Sequence, residues 1–184
     1  MEHTIIEQDY HKRQTCGSCN GSDFKTILDL GIVPLAGYFP SEDQIDVESK
    51  YPLSLLVCTD CKLVQTDSVI NPKLLFEDYR YLSSVGLTNH FTEVANILDE
   101  KYDVSGKTIL EIGCNDGVLL EPLSKLGAKV EGVDPAGNVV KLATDKGLKV
   151  YNDYFNEHTF GTDEFKNKYS LVISNNTFAH IIDI

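Results

Sequence analysis

The pattern of apolar and polar positions divides the 184-residue chain into three parts. In residues 105–184, short apolar runs alternate with amphipathic stretches, in the order strand, helix, strand, helix, strand, helix, strand. The four predicted strands are KTILEI, AKVEGVD, LKVYN and SLVIS. Because strands that alternate with helices form parallel sheets with right-handed crossovers, this part predicts an α/β domain.

The first two helices of the α/β part are GVLLEPLSKLG, expected to end at Gly127, and AGNVVKLATDKG, expected to end at Gly147. Pro122 lies inside the first of them, and a helix tolerates proline only in or near its first turn. We therefore expect that helix to start late or to be kinked.

Residues 69–104 predict a helical linker. The run NPKLLFEDYRYLSSVG reads as helical and precedes TNHFTEVANILDEKYD. In the second run, apolar residues recur at helical spacing: Phe91, Val94, Ile97 and Leu98. Thr88 or Asn89 is a suitable cap for the start of that helix.

Residues 1–68 contain four of the five cysteines and predict a metal-binding domain. The four form two CxxC pairs: Cys16, Cys19, Cys58 and Cys61. Two such pairs place four sulfurs around one ion, as in a zinc ribbon, and YPLSLLV and KLVQTD flank the second pair as expected hairpin strands. The 38 residues between the pairs exceed the usual gap, but a longer loop adds little entropic cost. Four thiolates leave no open coordination position, so we expect a structural zinc ion.

Two other interpretations of the cysteines are open from the residues alone. They are four unrelated buried thiols, or a redox dithiol, which usually follows a βαβ start. The fifth cysteine, Cys114, lies in a glycine-rich loop, where we expect a small packing residue rather than a ligand or a nucleophile.

Composition indicates which classes of partner and which cellular compartment to expect. A formal net charge of −12 argues against nucleic acid as the main partner, because an acidic chain repels phosphate. No run of about 18 apolar residues predicts a transmembrane helix, and the start MEHTIIEQDYHKRQTC lacks the apolar stretch of a signal peptide. An odd number of cysteines without an export signal favours a reducing compartment. We therefore expect a cytoplasmic protein with no nucleic-acid or membrane partner.

A glycine-rich loop follows the first strand of the α/β part. Its glycines and polar residues are Glu111, Gly113, Asn115, Asp116 and Gly117. Such a loop lets the backbone approach a ligand at the carboxyl end of the strand. Asp134 ends the second strand, 21 residues after Gly113, where an acid accepts hydrogen bonds from the ribose of an adenosine-type ligand. A structural turn beside an exposed acid is the alternative.

Two adenosyl ligands compete for this loop. A dinucleotide site has the pattern G-x-G-x-x-G, but Asn115 stands at the second glycine position and Asp116 would repel a pyrophosphate at the helix start. S-adenosylmethionine carries a sulfonium and an ammonium, which suit acids such as Glu111 and Asp116. We therefore expect S-adenosylmethionine.

Polar and aromatic residues also follow the third strand, in the sequence NDYF. Asp153 is a candidate to bond the adenine amine, and Tyr154 is a candidate to stack on the ring. Alternatively, Tyr154 and Phe155 only anchor the following helix to the core.

Several separate motifs carry a resemblance to a known family. EIGCNDGVLLEPL and VEGVDPAGNVVKLA resemble motif one and its successor in class I S-adenosylmethionine-dependent methyltransferases. CGSC, LDLGIVPLAGYF and YPLSLLVCTDCKLVQ resemble an N-terminal zinc domain, FEDYRYLSS a linker, and SNNTFAHI the segment after strand four of one branch. That branch is the sugar C-methyltransferase family, and the similarity runs from about Cys16 to Ile184.

The resemblance implies a fold and a reaction. The fold is a zinc-ribbon-like domain (1–68), a helical linker (69–104) and the first half of a Rossmann-like sheet with strand order 3-2-1-4 (105–184). The reaction is C-methylation beside the ketone of a nucleotide-linked 4-keto-deoxysugar. A base removes the acidified proton, and the resulting carbanion attacks the methyl group in line with the departing sulfur.

The resemblance also implies site residues. It adds Pro135 and Asn175 to the cofactor site and makes His180, Tyr79 and Tyr81 candidates for the base and the oxyanion donors. If the linker is helical, at most one of the two tyrosines faces the site. The alternatives are a surface histidine and aromatic packing between domains.

The class I fold has seven strands, of which four are found here. The resemblance to the sugar C-methyltransferase family implies about as many residues again, with a later Glu-His pair that has no counterpart here. We therefore expect a fragment, with an apolar edge at strand four that invites self-association. Two other functions are kept open: a methyltransferase for another small molecule, and a non-catalytic zinc-stabilised binding module.

Overall fold

The structure, a computed structural model, describes residues 9–37, 39–45 and 47–181. The chain divides into two compact units, with a boundary between Leu75 and Phe76. No helix within these described ranges is both long and apolar enough to cross a lipid bilayer.

The first unit is built from short antiparallel strands. They are β1 (Tyr10–Lys12), β2 (Phe24–Pro34), β3 (Lys50–Cys58), β4 (Val64–Thr66) and β5 (Ser68–Ile70). β2, β3 and β4 form one sheet in that order, and β1 pairs with β5. A single 3-10 turn covers Glu42–Gln44, and helix α1 (Pro72–Phe76) follows β5.

The predicted hairpin around the second CxxC pair is confirmed, because β3 and β4 pair antiparallel on either side of it. The sequence interpretation missed β2, which has 11 residues. Its pairing with β3 shifts register between Thr26 and Leu28 and again between Asp29 and Ile32. These shifts interrupt the alternation of apolar and polar side chains by which a strand is recognised.

The second unit is a parallel α/β half-sheet. Its elements are α2 (Ser84–Tyr102), β6 (Thr108–Ile112), α3 (Leu120–Lys125), β7 (Lys129–Val133), α4 (Gly137–Asp145), β8 (Lys149–Tyr151), α5 (Glu157–Phe160) and β9 (Leu171–Ser174). The strand order is β8-β7-β6-β9, and every pairing is parallel. The predicted order 3-2-1-4 is therefore confirmed. A 3-10 turn at Phe178–His180 follows β9.

The core of this unit joins α2 and α3 to the central strand. Its buried residues are Phe91, Ala95, Val104, Ile109, Val118, Leu119, Leu123 and Ala128. Pro122 is the third residue of α3, so the expected late start of that helix is confirmed. Cys114 is buried beside Leu120 and Ala143, and burial raises the pKa of its thiol well above the usual value, which confirms a packing role.

Glu131 of β7 anchors the chain that crosses from β8 to β9. Its buried carboxylate accepts hydrogen bonds from Lys149 (2.8 Å), Lys168 (2.7 Å), Tyr169 (2.7 Å) and Tyr151 (3.0 Å). Burial alone favours the neutral acid, but these four donors lower the pKa of Glu131 to about 2. The crossover is thus held to the sheet by a carboxylate that stays ionised.

The linker differs from the prediction in three respects. Residues 77–83 are not helical, because α1 ends at Phe76 and α2 begins at Ser84. A kink at Val85 and Gly86 separates Ser84, the first residue of α2, from the regular part of the helix, with a φ of 85° at Gly86. Neither Thr88 nor Asn89 is the N-cap of α2, which is Ser83.

The predicted apolar face of this helix is correct except at one position. Phe91, Val94 and Leu98 belong to the core, but the side chain of Ile97 is exposed. The core contact falls to Ala95 instead, one turn after Phe91, so the buried stripe lies slightly to one side of the predicted one.

Candidate functional site

The four cysteines of the two CxxC pairs converge on one point in the first unit. Their Sγ atoms all lie within 4.8 Å of one another. Cys16 Sγ is 3.6 Å from Cys61 Sγ, and Cys19 Sγ is 3.6 Å from Cys58 Sγ. A zinc ion with four bonds of about 2.3 Å to sulfur requires sulfur–sulfur separations of about 3.8 Å, so the cluster fits a tetrahedral zinc ion.

The two cysteine turns have the same local geometry. In each, the residue four positions after the first cysteine has a positive φ: 59° at Asn20 and 67° at Lys62. The N–H of each of these residues donates to the carbonyl of that first cysteine, at 3.0 Å and 3.1 Å. Pairing of Phe24 with Cys58 brings the turns together. The first unit therefore holds the sulfurs in place through its backbone.

The glycine-rich loop lies at the carboxyl end of β6 in the second unit. Gly113, Asn115 and Gly117 all have positive φ, at 72°, 50° and 78°. A Cβ on Gly113 would lie 2.0 Å from Thr177 Oγ1. Glycine is therefore required at this position both for its conformation and for the close approach of the segment after β9.

Three buried acids surround this loop. Glu111, Asp116 and Asp134 are 3%, 1% and 7% exposed. Asp134 accepts hydrogen bonds from the N–H groups of Asn115 and Ala136, both at 2.9 Å. Within the described residues, Glu111 Oε2 and Asp116 Oδ1 are buried without a hydrogen-bond partner.

The protonation of Glu111 follows from this environment. Burial, assisted by the nearby carboxylates of Asp134 and Asp116 and opposed by the hydrogen bond from Asn175 Nδ2 at 3.2 Å, raises the pKa of Glu111 to about 8. Burial also raises the pKa of Asp134, against its two backbone hydrogen bonds. A cation beside these acids would favour their ionised forms, so the cluster suits a positively charged ligand.

The three residues that follow β8, Asn152 to Tyr154, make different contacts. Asp153 turns back on its own segment, where it accepts from the N–H of Tyr154 (2.7 Å) and from Thr159 Oγ1 (2.6 Å). The hydroxyl of Tyr154 is buried without a hydrogen-bond partner among the described residues. Asn152 donates to the carbonyls of Asp134 and Pro135, at 3.1 Å and 2.9 Å, and so ties the end of β8 to the end of β7.

Sequence reasoning gave Asn152 no role. Its position at the carboxyl end of a predicted strand was the available signal.

Residues 79–84, which we call the strap, comprise the non-helical residues 79–83 and the first residue of α2, and they are bound to the loop and to α4. Asn115 Nδ2 donates to the carbonyl of Tyr81 at 3.0 Å, and the N–H of Ser83 donates to Asn115 Oδ1 at 3.1 Å. The N–H of Ser84 donates to Asp116 Oδ2 at 3.2 Å. The amide of Asn138 in α4 bonds both the N–H and the carbonyl of Tyr79. The strap thus lies on the loop that carries the acids.

The three candidate catalytic residues belong to one row of rings, which we call the aromatic row. Tyr81 contacts Tyr79 at 6.5 Å between ring centroids, Tyr79 contacts Phe76 at 6.3 Å, and Phe76 contacts His180 at 5.8 Å. The expectation that at most one tyrosine faces the site assumed a helix, and the residues around Tyr79 and Tyr81 are not helical. Sequence reasoning missed Phe76, which links the tyrosines to His180.

Two known protein families match successive parts of the chain, first a zinc-binding domain and then a methyltransferase domain. Residues 16–76 match a family described as a zinc binding domain. Residues 86–184 match a family described as a methyltransferase domain, and this match covers more than half of the chain. The chain belongs to the methyltransferase family. The predictions of a zinc-binding domain and of a Rossmann-like methyltransferase domain are confirmed.

Two curated relatives illustrate the extent of similarity of this methyltransferase. C-methyltransferase NovU of Streptomyces niveus is 32% identical over 176 residues, which are 92% of this chain and 41% of NovU. Ubiquinone biosynthesis O-methyltransferase of Methylobacterium sp. (strain 4-46) is 33% identical over 85 residues, which are 44% of this chain and 33% of that protein. The methyltransferase therefore spans less than half the length of either relative.

A solved structure, magnesium protoporphyrin IX methyltransferase (ChlM) from Synechocystis PCC 6803 with bound SAM, aligns with a TM-score of 0.43 at 24% identity. The alignment covers 53% of this methyltransferase and 48% of that chain. Because this TM-score is low, the alignment supports no conclusion about the function or the ligand of this chain. The individual cofactor and catalytic residues and the three domain ranges stay predictions.

Proposed function

We propose that this methyltransferase adds a methyl group to the carbon beside the ketone of a nucleotide-linked 4-keto-deoxysugar. The similarity to a C-methyltransferase over 92% of the chain carries this proposal, because it includes both the zinc unit and the methyltransferase unit. The O-methyltransferase relatives match only part of the chain. Methylation of another small molecule is therefore the second candidate.

The donor site in this proposal is the acid cluster around the glycine-rich loop. When bound, S-adenosylmethionine supplies an electrophilic methyl group on a sulfonium. Glu111 and Asp116 each present a buried, unpartnered oxygen that suits its positive charges. Asp134 has lone pairs left for ribose hydroxyls, while its backbone hydrogen bonds hold the loop in shape. Asn175 orients Glu111.

The other donor residues have supporting roles. Gly113 and Gly117 allow the close backbone approach, and Asn115 ties the loop to the strap. The carbonyl of Pro135 accepts from Asn152, which shapes the end of β7. Asp153 and Tyr154 follow β8 on the adenine side, and Asp153 would have to exchange its bond from Thr159 for the adenine amine.

The acceptor site in this proposal is the aromatic row. Its rings offer faces for a sugar or a base to stack on. It also carries the groups that enolate chemistry requires: the imidazole of His180 as a base, and the hydroxyls of Tyr79 and Tyr81 as donors to the enolate oxygen. The hydrogen bond from Asn115 of the donor loop to the backbone of Tyr81 supports this assignment.

The first experiment tests the donor site. The purified chain is titrated calorimetrically with S-adenosylmethionine, with the zinc content measured on the same sample. We expect saturable binding that Asp134→Ala abolishes and Asp145→Ala preserves, since Asp145 only pairs with Lys141 on an exposed part of α4. A folded, zinc-loaded chain that does not bind would contradict the proposal and favour a non-catalytic zinc-stabilised module.

The second experiment tests the acceptor. The chain is incubated with methyl-labelled S-adenosylmethionine and thymidine or uridine diphosphate 4-keto-6-deoxyglucose. We expect a new carbon-linked methyl group and loss of the proton beside the ketone, both visible by NMR. An oxygen-linked methyl group, or transfer only to an unrelated phenol, would favour the second candidate function.

Location and self-association are further parts of the proposal. We infer a cytoplasmic location from the thiolate site, because four clustered thiols without disulfides suit a reducing compartment. We also infer that β9, whose outer side chain Val172 is exposed, can pair with another copy of the chain.

A further inference from the structure

Asn138 makes an unusual pair of hydrogen bonds across 59 positions of sequence. Its Nδ2 donates to the carbonyl of Tyr79 at 2.7 Å, and the N–H of Tyr79 donates to its Oδ1 at 3.2 Å. The side-chain amide thus pairs with both backbone groups of one residue, as a neighbouring strand would. Both polar atoms of Asn138 are committed to Tyr79.

Neither capping of α4 nor burial of the side chain explains why Asn138 makes these two hydrogen bonds. It lies in the first turn of α4, where an asparagine usually caps the helix. Here the N-cap is Ala136, and no side chain caps the start of α4. Asn138 is also exposed, so water competes for its hydrogen bonds and they contribute little to folding. Its bonds act on the strap rather than on the helix.

The strap needs such bonds to keep its conformation. It follows α1 and ends at the first residue of α2, and the kink at Val85 and Gly86 separates it from the regular part of α2. Asn115 and Asp116 bond its backbone at Tyr81, Ser83 and Ser84, and the N–H of Val85 donates to the carbonyl of Leu82 at 3.1 Å. Asn138 alone among these three side chains lies outside the donor loop and bonds Tyr79.

We propose that Asn138 is a positioning residue that holds the backbone of Tyr79 so that its ring stays in the aromatic row. Tyr79 is the middle of the row, since its ring contacts both Phe76 and Tyr81. Without Asn138, residues 77–80 lose their tie to α4 and the two halves of the row separate. This role deepens the proposed acceptor site and rests on it.

The first measurement reads the ring of Tyr79 directly. The chain is labelled with 3-fluorotyrosine, and the Tyr79 resonance is assigned by its loss in Tyr79→Phe. We expect Asn138→Ala to shift and broaden this resonance. Asn138→Asp should do the same, because it sets an oxygen against the Tyr79 carbonyl. Asn96→Ala, at an exposed position of α2, is the control that should leave the resonance unchanged. An unchanged Tyr79 resonance in Asn138→Ala overturns the proposal.

The second measurement separates positioning from general damage. Affinities for S-adenosylmethionine and for thymidine and uridine diphosphate 4-keto-6-deoxyglucose are measured for each variant. We expect Asn138→Ala to weaken acceptor binding at least ten-fold and to change donor binding less than two-fold. Equal losses for donor and acceptor would show a merely structural role and overturn the proposal.

A third variant distinguishes this inference from the proposed function. If Tyr79→Ala weakens acceptor binding and Asn138→Ala does not, the positioning role is wrong and the acceptor site stands. If Tyr79→Ala leaves acceptor binding unchanged, or the unaltered chain binds neither acceptor, the acceptor site itself is wrong and the role of Asn138 falls with it.

Discussion

At the scale of single residues, Glu111 has the environment that bears most on ligand binding. It is buried with one oxygen unpartnered, beside two other acids, and its pKa is raised to about 8. Leaving a buried carboxylate oxygen ionised without a partner is costly, so burial favours the protonated form of Glu111 in the free protein. A sulfonium or ammonium nearby reverses that preference.

This environment predicts that donor binding depends on pH. Below about pH 8, S-adenosylmethionine binding should release a proton from Glu111, and affinity should rise with pH by up to about ten-fold per unit. Above that pKa, Glu111 is already ionised and the rise should end. Calorimetry in buffers of different ionisation enthalpy measures the released protons. Glu111→Gln keeps an acceptor for Asn175 and should abolish the release, and proton-neutral binding by the unaltered chain at pH 7 would contradict this prediction.

At the scale of elements, the strands of the parallel sheet were predictable and the strap was not. KTILEI, AKVEGVD, LKVYN and SLVIS are apolar runs bounded by polar residues, and each became a strand of the predicted parallel sheet. Residues 77–83 also read as helical, but Asn115, Asp116 and Asn138 bond the backbone of the strap. Helical propensity is a weak preference that such tertiary hydrogen bonds override.

The glycine-rich loop gives a prediction at the same scale. Gly113→Ala and Gly147→Ala both place a Cβ at a positive φ, which costs about 1 kcal/mol. Only at Gly113 does the new Cβ also meet Thr177, whereas at Gly147 it meets nothing within 4 Å. Gly113→Ala should therefore lower the free energy of unfolding by at least about 1 kcal/mol more than Gly147→Ala. Urea denaturation of both variants measures this, and equal losses would be inconsistent with the close approach of Thr177.

At the scale of the whole molecule, the two units depend on different sources of stability. The described part of the first unit buries few large apolar side chains, among them Tyr51 and Leu56, and the cysteine cluster lies within it. A small unit with so few buried apolar side chains needs a further source of stability, such as a bound metal ion. The second unit has its own apolar core, with Leu119 and Leu123 fully buried.

Removal of zinc should therefore act on one unit. Cys58→Ser, or treatment with a strong chelator, should remove the ion and unfold the first unit, while amide protons of β6 and β7 stay protected from exchange. Hydrogen exchange measured by mass spectrometry resolves the two units. Cys114→Ser is the matched control, because its thiol lies in the second core, and it should keep one equivalent of zinc. Loss of protection throughout the chain on chelation would show that the units are not independent.

The exposed edge of the sheet leads to the last prediction. Val172 of β9 is 52% exposed on a strand that pairs only with β6 in the described structure. Val172→Lys should reduce self-association, since an edge lysine opposes strand pairing between chains. Sedimentation velocity over a concentration series measures this against Leu142→Lys, an exposed residue of α4. A monomeric unaltered chain at all concentrations would refute the inference.

The sequence alone determined the order of strands and helices in the α/β part, the set of four cysteines and the acids at the strand ends. These depend on patterns of neighbouring residues and on the rule that parallel strands bring their carboxyl ends to one edge. Only the tertiary structure decided the path of the strap, the aromatic row and the protonation of Glu111. Each of these depends on contacts between residues far apart in sequence, such as Asn138 with Tyr79 and Phe76 with His180, and on burial that no local pattern records.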